Sequence, residues 1–131
     1  MVKKLVLVFV FLLFLVGCDL TTTEDELDYS DFPSITLTDP DTQLTQPYDV
    51  YYLYFYGPTC SACLSIKTEV LLKLTLLHND HIFLVETDSL EDINEAIAVS
   101  NIPTLVKIVD GEVDWYFVGT TQVLEEINTL S

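Results

Sequence analysis

The chain has 131 residues, half of them hydrophobic, and a formal net charge of −16 at pH 7. This length fits one domain. With 21 acidic residues against five lysines and no arginine, the composition excludes a nucleic-acid-binding protein, because phosphate binding needs clustered Lys and Arg.

The first 17 residues have the pattern of a secretory signal peptide. Lys3 and Lys4 precede an unbroken apolar stretch of 12 residues, 5–16, which is followed by Gly17 and Cys18. Such a stretch is too short for a comfortable membrane-spanning helix, and a short uncleaved anchor is the alternative. We therefore predict a signal peptide over residues 1–17.

The end of this segment, Leu15-Val16-Gly17-Cys18, resembles the lipobox of bacterial lipoproteins. The resemblance implies cleavage before Cys18 and lipidation of its sulfur, which would anchor the protein at the extracytoplasmic face of the bacterial cell membrane. Lipidation of Cys18 leaves Cys60 and Cys63 as one pair, and a disulfide from Cys18 to either of them is the alternative. The mature chain would have 131 − 17 = 114 residues and a net charge of 3 − 21 = −18, so that the lipid rather than the protein surface holds it to anionic headgroups.

Residues 18–33 are predicted to form a flexible acidic tether, because this stretch has too few apolar residues to bury. We place the folded domain at residues 34–131 and expect it to begin with a short alternating strand over residues 34–38. Two prolines in residues 39–47 leave room for one or two helical turns at most.

Residues 49–56 predict the central strand, because they are apolar on both faces. Some of the four tyrosines in this strand are expected to reach the rim of the sheet, since a buried phenol needs a hydrogen-bond partner. An amphipathic helix is predicted over residues 60–77. Its buried face carries Val70, Leu71, Leu74 and Leu77.

The second half of the chain alternates strands and helices without an internal repeat. The predicted elements are a strand at 81–86, a helix at 89–99, strands at 105–109 and 113–118, and a closing helix at 121–130. Ser89 with Asp92 at its third position is typical of a capping box. Asp110-Gly111 predicts a two-residue hairpin turn.

Cys60 and Cys63 lie three residues apart, where the central strand gives way to the helix. A helix N-terminus carries partial positive charge and free N–H groups, which stabilise a thiolate on Cys60. Cys63 is one turn further on and close enough to form a disulfide. This placement suits thiol–disulfide exchange.

The segment from Phe55 to Cys63 resembles the active-site segment of the thioredoxin family. Ile102-Pro103-Thr104, which lies 39 residues after Cys63, resembles the cis-proline loop of that family, and Asp110-Gly111 resembles its hairpin turn. The resemblance covers roughly residues 34–130. It implies an α/β, thioredoxin-like three-layer fold, with a central mixed sheet of about four or five strands flanked by helices and a cis bond before Pro103.

The resemblance also implies a thiol–disulfide oxidoreductase. Cys60 would attack a substrate disulfide as the thiolate, Cys63 would resolve the mixed disulfide, and Ile102, Pro103 and Thr59 would contact an extended substrate segment. It implies no cofactor beyond the redox-active Cys60–Cys63 pair. The expected partners are protein dithiols or disulfides and a membrane electron donor, with the protein itself a monomer. Nothing between the cysteines adds a cation, so we expect only a moderate lowering of the Cys60 pKa and favour a reductase.

Two residues near the cysteines depart from the family. Many thioredoxins carry a buried aspartate six residues before the first cysteine and a tryptophan directly before it, and this chain has Tyr54 and Thr59 there. Proton transfer must then use Tyr54, water or another group. Glu86 at the end of a strand is a second candidate for a proton relay, and a solvated strand end is the alternative.

Two other functions stay open at this point. A Cys-x-x-Cys lipoprotein could carry Cu(I) through two soft thiolates. However, no methionine follows Met1, and His78 and His81 lie beyond the far end of a helix roughly 25 Å long. The same shortage of ligands argues against structural zinc. A non-catalytic binding module that kept the fold is the third possibility.

Overall fold

The computed structural model describes residues 25–131. The predicted signal peptide at 1–17, the lipidation of Cys18 and residues 18–24 of the predicted tether lie outside the described residues. Within residues 25–131, no helix has the length and apolar character needed to cross a membrane.

Four strands form one mixed sheet in the order β2-β1-β3-β4. The strands are β1 (Val50–Tyr56), β2 (Ile82–Glu86), β3 (Thr104–Val109) and β4 (Glu112–Val118). The pairing of β1 with β2 is parallel, whereas β1 with β3 and β3 with β4 are antiparallel. The turn between β3 and β4 is the predicted hairpin, with φ of 52° at Asp110 and 78° at Gly111, the positive values that such a turn requires.

Two α-helices, α1 (Ser61–Leu76) and α2 (Gly119–Ile127), pack on the same face of the sheet. Their buried side chains share one apolar core with alternate residues of β1 and β2; the helical members are Cys63, Ile66, Val70, Val123 and Ile127. Leu74 and Leu77 are only partly buried against this core. The core therefore begins at the second cysteine and holds the N-terminal end of α1 against the sheet.

The helix predicted over residues 89–99 is absent. Only one 3-10 turn, Leu90–Asp92, forms there, although its capping box from Ser89 and Asp92 is present as predicted. The remainder of the segment is irregular and buries Ile97 and Val99 on the second face of the sheet. Consequently, both α-helices lie on one face, and an irregular layer replaces the helix expected on the other.

Side chains that hydrogen-bond the backbone explain why this segment is not helical. Gln43 is fully buried, and its amide donates to the carbonyl of Asp92 at 2.7 Å and accepts from the N–H of Asn94 at 2.9 Å. The side chain of Asn94 in turn accepts from the N–H of Ala96 at 3.0 Å. Such bonds take the place of the helical ladder.

The start of the folded region differs from the prediction. Residues 28–33, assigned to the flexible tether, form 3-10 turns and pack against the domain, where Tyr29 stacks on Tyr56 at 3.7 Å between ring centroids. The strand predicted over residues 34–38 reduces to one isolated bridge between Thr36 and Leu84, because Pro33 begins a 3-10 turn that runs to Ile35. Three apolar side chains order this polar segment, because Tyr29, Phe32 and Ile35 pack against the core.

The tyrosines of β1 are buried rather than placed at the rim of the sheet. Tyr51, Tyr52, Tyr54 and Tyr56 are each at most 4% exposed. Three of their hydroxyls reach partners from distant parts of the chain, the Gln43 carbonyl and the carboxylates of Glu126 and Glu86. For these three tyrosines, the partners supply the hydrogen bond that a buried phenol needs, which was the reason for expecting tyrosines at the rim of the sheet.

Candidate active site

The cysteine pair lies where β1 passes into α1. Cys60 is the N-cap residue of the helix and Cys63 lies in its first turn. The two are joined by a disulfide, with their Cα atoms 5.2 Å apart. The N–H of Cys63 donates to the Cys60 sulfur at 3.1 Å. A free backbone donor at a helix N-terminus stabilises negative charge on an acceptor in this position, so Cys60 is the sulfur that the fold favours as thiolate.

The two sulfurs differ in accessibility. Cys63 is 1% exposed and belongs to the apolar core, whereas Cys60 is partly exposed. An attacking nucleophile must be reachable, and a resolving thiol need reach only its neighbour. The geometry therefore matches the predicted division between Cys60 and Cys63.

The loop that contains Pro103 faces the pair. The Ile102-Pro103 peptide bond is cis, as predicted, and the carbonyl oxygen of Ile102 lies 3.7 Å from the Cys60 sulfur. On the other side of the cysteines, Thr59 is exposed. The structure thus brings Thr59, Ile102 and the dithiol to one surface, with Pro103 buried beneath it.

Gly57 is required for this close approach. A Cβ atom at this position would lie 2.8 Å from the Ile102 side chain and 3.2 Å from the Thr87 carbonyl oxygen. A side chain at residue 57 would therefore force the end of the Ile102 side chain to move and would crowd the Thr87 carbonyl.

No family model matches the sequence, and no characterised protein matches it by sequence. Solved structures do match. Thioredoxin f2 of Chlamydomonas reinhardtii aligns at a TM-score of 0.59 and 19% identity, over 72% of this chain and 94% of that one. Mitochondrial thioredoxin 3 of Saccharomyces cerevisiae, in its oxidised form, aligns at 0.59 and 21%, over 72% and 93%. A thioredoxin of Schistosoma mansoni aligns at 0.58 and 23%, over 72% and 93%.

This chain has the thioredoxin fold. The predicted fold class is confirmed, with four strands in the sheet and with one of its two outer layers irregular instead of helical. The cysteine pair and the cis-proline loop of this thioredoxin fold lie next to each other, and the helix N-terminus points at Cys60.

Tyr54 lies in the apolar core together with Cys63 and is completely buried. Burial, and then the neighbouring Tyr29, raise the pKa of its phenol above the ordinary value. Neither the Tyr54 hydroxyl nor that of Tyr29 has a hydrogen-bond partner within the described residues. A phenol that stays protonated at neutral pH is a poor base, so Tyr54 is a weaker candidate than a carboxylate for the acceptor of the Cys63 proton.

Glu86 lies at the end of β2 beside Tyr56, whose hydroxyl donates to its carboxylate at 3.4 Å. Burial, and next the negative charge of Glu86, raise the pKa of the Tyr56 phenol. The Glu86 side chain also lines a cleft of about 700 Å³ that reaches Cys63. Glu86 is exposed at the strand end, which is the alternative that the sequence left open, and it lines the same cleft as Cys63.

Three residues that the sequence did not single out also line this cleft. Asp28 and Tyr29 line it together with Lys67 of α1. The Lys67 ammonium is 2.8 Å from the Asp28 carboxylate and 5.7 Å from the centre of the Tyr29 ring. A tyrosine between Asp28 and Asp31, which form a capping box, is the local signal that this part of the chain is ordered.

The structure offers no alternative centre for a metal. Within residues 25–131, no three His, Cys, Asp or Glu side chains come close enough together to hold an ion. His78 and His81 follow the C-terminal end of α1, and the ring of His81 stacks on Tyr48 at 3.6 Å between centroids. The cysteine pair therefore has no histidine near it.

Replacing Tyr54 with phenylalanine is expected to stabilise the protein by about 1 kcal/mol, because the change removes a buried hydroxyl that has no partner and keeps the ring. Urea unfolding of the oxidised protein measures this change. Disulfide-exchange activity should stay the same, since the hydroxyl is not the proton acceptor. A loss of stability, or a slower exchange reaction with normal stability, would contradict this account of Tyr54.

Proposed function

We propose that this protein is a thiol–disulfide oxidoreductase that reduces disulfides in other proteins. The observation that carries the proposal is the Cys60–Cys63 disulfide at the N-terminus of α1, with the carbonyl of Ile102 3.7 Å from the Cys60 sulfur. A buried structural disulfide would not need an exposed sulfur, a helix N-terminus and a facing backbone loop.

The reaction begins with the reduced pair. The Cys60 thiolate attacks one sulfur of a substrate disulfide, the substrate S–S bond breaks, and one substrate sulfur leaves as a thiolate and takes up a proton. The product is a mixed disulfide between Cys60 and the substrate. The N–H of Cys63, which lies 3.1 Å from the Cys60 sulfur, stabilises the thiolate before the attack.

Resolution of the mixed disulfide uses the buried thiol. Cys63 gives up its proton, for which we propose the Glu86 carboxylate as acceptor across the cleft that both residues line. The resulting thiolate attacks the Cys60 sulfur, the Cys60–Cys63 bond forms, and the second substrate sulfur leaves as a thiolate. The substrate gains two electrons and the protein loses two, which a dithiol donor must then replace.

The exposed rim of the site provides the contacts for an extended substrate segment. The proposal assigns these contacts to Thr59, Ile102 and the backbone next to Pro103, because they surround the accessible sulfur. Pro103 has no N–H and so cannot satisfy the neighbouring carbonyls itself. The carbonyls of Asn101 and Pro103 already accept hydrogen bonds within the domain, so among the carbonyls of this loop that of Ile102 is left for a strand-like substrate.

We further propose that the protein works outside the cytoplasm, anchored through lipid on Cys18, as a monomer that receives electrons from a membrane donor. The lipobox-like end of an apolar N-terminal segment supports this setting. Labelling with a radioactive fatty acid in a bacterial host, compared between the native chain and Cys18→Ser, tests the anchor directly.

A Cu(I) carrier is the competing function, because two thiolates alone can hold Cu(I). Reduction of insulin by dithiothreitol in the presence of the purified protein separates the two. An oxidoreductase accelerates this reaction well above the rate with dithiothreitol alone. No acceleration, together with tight Cu(I) binding that needs both cysteines, would contradict the proposed function.

A further inference from the structure

The N-terminal strap, which we define as residues 28–35, contributes to the lining of the cleft that reaches Cys63. It consists of the 3-10 turns Tyr29–Asp31 and Pro33–Ile35. Two contacts hold it in place. Tyr29 stacks on Tyr56, with ring centroids 3.7 Å apart and ring planes at 14°, and Asp28 pairs with Lys67 at 2.8 Å.

Both partners of the strap lie next to the redox pair. Tyr56 is the last residue of β1, and the turn to Cys60 follows it directly. Lys67 lies on α1 one turn after Cys63, and its side chain is only 20% exposed because the strap covers it. The strap thus touches the strand before the dithiol and the helix after it.

A cleft of about 700 Å³ is lined by residues of the strap and by Cys63. Asp28, Tyr29, Lys67 and Glu86 all line this cleft together with Cys63. Cys63 nevertheless has an exposure of only 1%. The Tyr29 ring packs against the same apolar core and borders the cleft beside this sulfur.

We propose that Tyr29 is a positioning residue, whose docking on Tyr56 keeps the Cys63 sulfur dry and so sets how readily this thiol ionises to resolve the mixed disulfide. This inference rests on the proposed exchange function. Burial disfavours a thiolate, so the docked strap makes Cys63 a weaker acid than an exposed cysteine. When the strap leaves, water and the Lys67 ammonium can stabilise the thiolate.

The other charged and titratable groups near Cys63 line the same cleft or belong to the same apolar core. Lys67 favours the thiolate, whereas Asp28 and Glu86 disfavour it, and the phenols of Tyr29, Tyr54 and Tyr56 stay neutral because burial raises the pKa of each. Tyr29→Ala removes one of these phenols, which is neutral, and deletes none of the charged groups. The effect of shortening Tyr29 therefore reports chiefly the access of water to the sulfur.

The test is a pH titration of Cys63 in the Cys60→Ser background, read by the rate of alkylation with iodoacetamide. Adding Tyr29→Ala is expected to lower the apparent pKa of Cys63 by about half a unit, because the thiolate gains solvation, and to speed alkylation at neutral pH about threefold. Tyr29→Phe keeps the stacked ring and loses only a hydroxyl without a partner, so it should restore the value of the parent.

Tyr48→Ala is the matched control. Tyr48 also stacks on a neighbouring ring, that of His81, but it lies just before β1, at the end opposite Tyr56. This change should leave the titration of Cys63 unaltered. Circular dichroism of each variant checks that the domain is folded.

The result that would overturn the inference is a Cys63 titration that is the same with alanine, phenylalanine or tyrosine at position 29. Equal effects of Tyr29→Ala and Tyr48→Ala would overturn it as well, since they would show general loosening of the fold. The titration needs no substrate or turnover. A protein that fails to reduce insulin but shows the expected Cys63 shift would contradict the proposed function and leave the role of Tyr29 standing.

Discussion

Cys60→Ser is expected to abolish the reduction of insulin, leaving only the rate of dithiothreitol itself. Serine is nearly the same size as cysteine, but its hydroxyl does not ionise at neutral pH and forms no disulfide. Catalysis requires the accessible sulfur at the helix N-terminus, and Cys63 cannot replace it because it is 1% exposed. Loss of activity should therefore be complete rather than partial.

The control for this experiment is the stability of the Cys60→Ser variant, because the loss of activity must not come from unfolding. Cys60 is partly exposed at the N-cap of α1, and serine is a good N-cap residue, so the reduced variant should unfold at nearly the same urea concentration as the reduced native protein. Activity that survives in Cys60→Ser would mean that the proposed nucleophile is wrong.

Cys63→Ser is expected to stop the reaction at its intermediate. Cys60 keeps its position at the helix N-terminus and can still attack a substrate disulfide, but no neighbouring thiol remains to release the product. A mixed disulfide between Cys60 and the substrate should therefore accumulate, visible as a mass increase by non-reducing mass spectrometry and lost on reduction.

The order of the two cysteines predicts an asymmetry in this experiment. Cys60→Ser should form no adduct, because the buried Cys63 cannot reach a protein substrate, while Cys63→Ala should trap the substrate just as Cys63→Ser does. If Cys60→Ser trapped the substrate and Cys63→Ser did not, the roles of nucleophile and resolving thiol would be the reverse of those assigned. The same trap, used in cells, would capture the physiological substrate.

The parts of the fold that the sequence predicts well depend on neighbours in the chain. The run of β-branched and aromatic residues in β1, the turn at Asp110-Gly111 and the helix that begins at Cys60 are all recognisable within a few residues. The cis bond before Pro103 came from the resemblance to a family, since an isolated Ile-Pro pair does not distinguish the isomers.

The wrong predictions involve contacts between distant residues. The segment after Ser89 has the pattern of a helix, but Gln43, 51 residues before Asn94, supplies the hydrogen bonds that keep it irregular. The phenol of Tyr51 is buried because the carbonyl of Gln43 accepts from it at 2.8 Å. Local pattern cannot supply such partners.

The active site likewise contains residues that the sequence identifies and a residue that it does not. The cysteines and the proline loop carry recognisable motifs, and the structure brings them together. Tyr29 carries no motif, and its role follows only from its stacking on Tyr56 and from the cleft that it lines beside Cys63. A residue that covers another side chain without contacting substrate is harder to recognise from the sequence than a residue within a catalytic motif.

A redox titration of the Cys60–Cys63 pair tests the central claim most directly. The protein is equilibrated with mixtures of reduced and oxidised dithiothreitol or glutathione, its free thiols are alkylated, and the two forms are counted by mass. A single two-electron transition is expected, with a potential nearer to about −270 mV, as in a reductant, than to about −120 mV, as in an oxidant. A disulfide that stays closed until below about −300 mV would be structural, and that result would contradict the account.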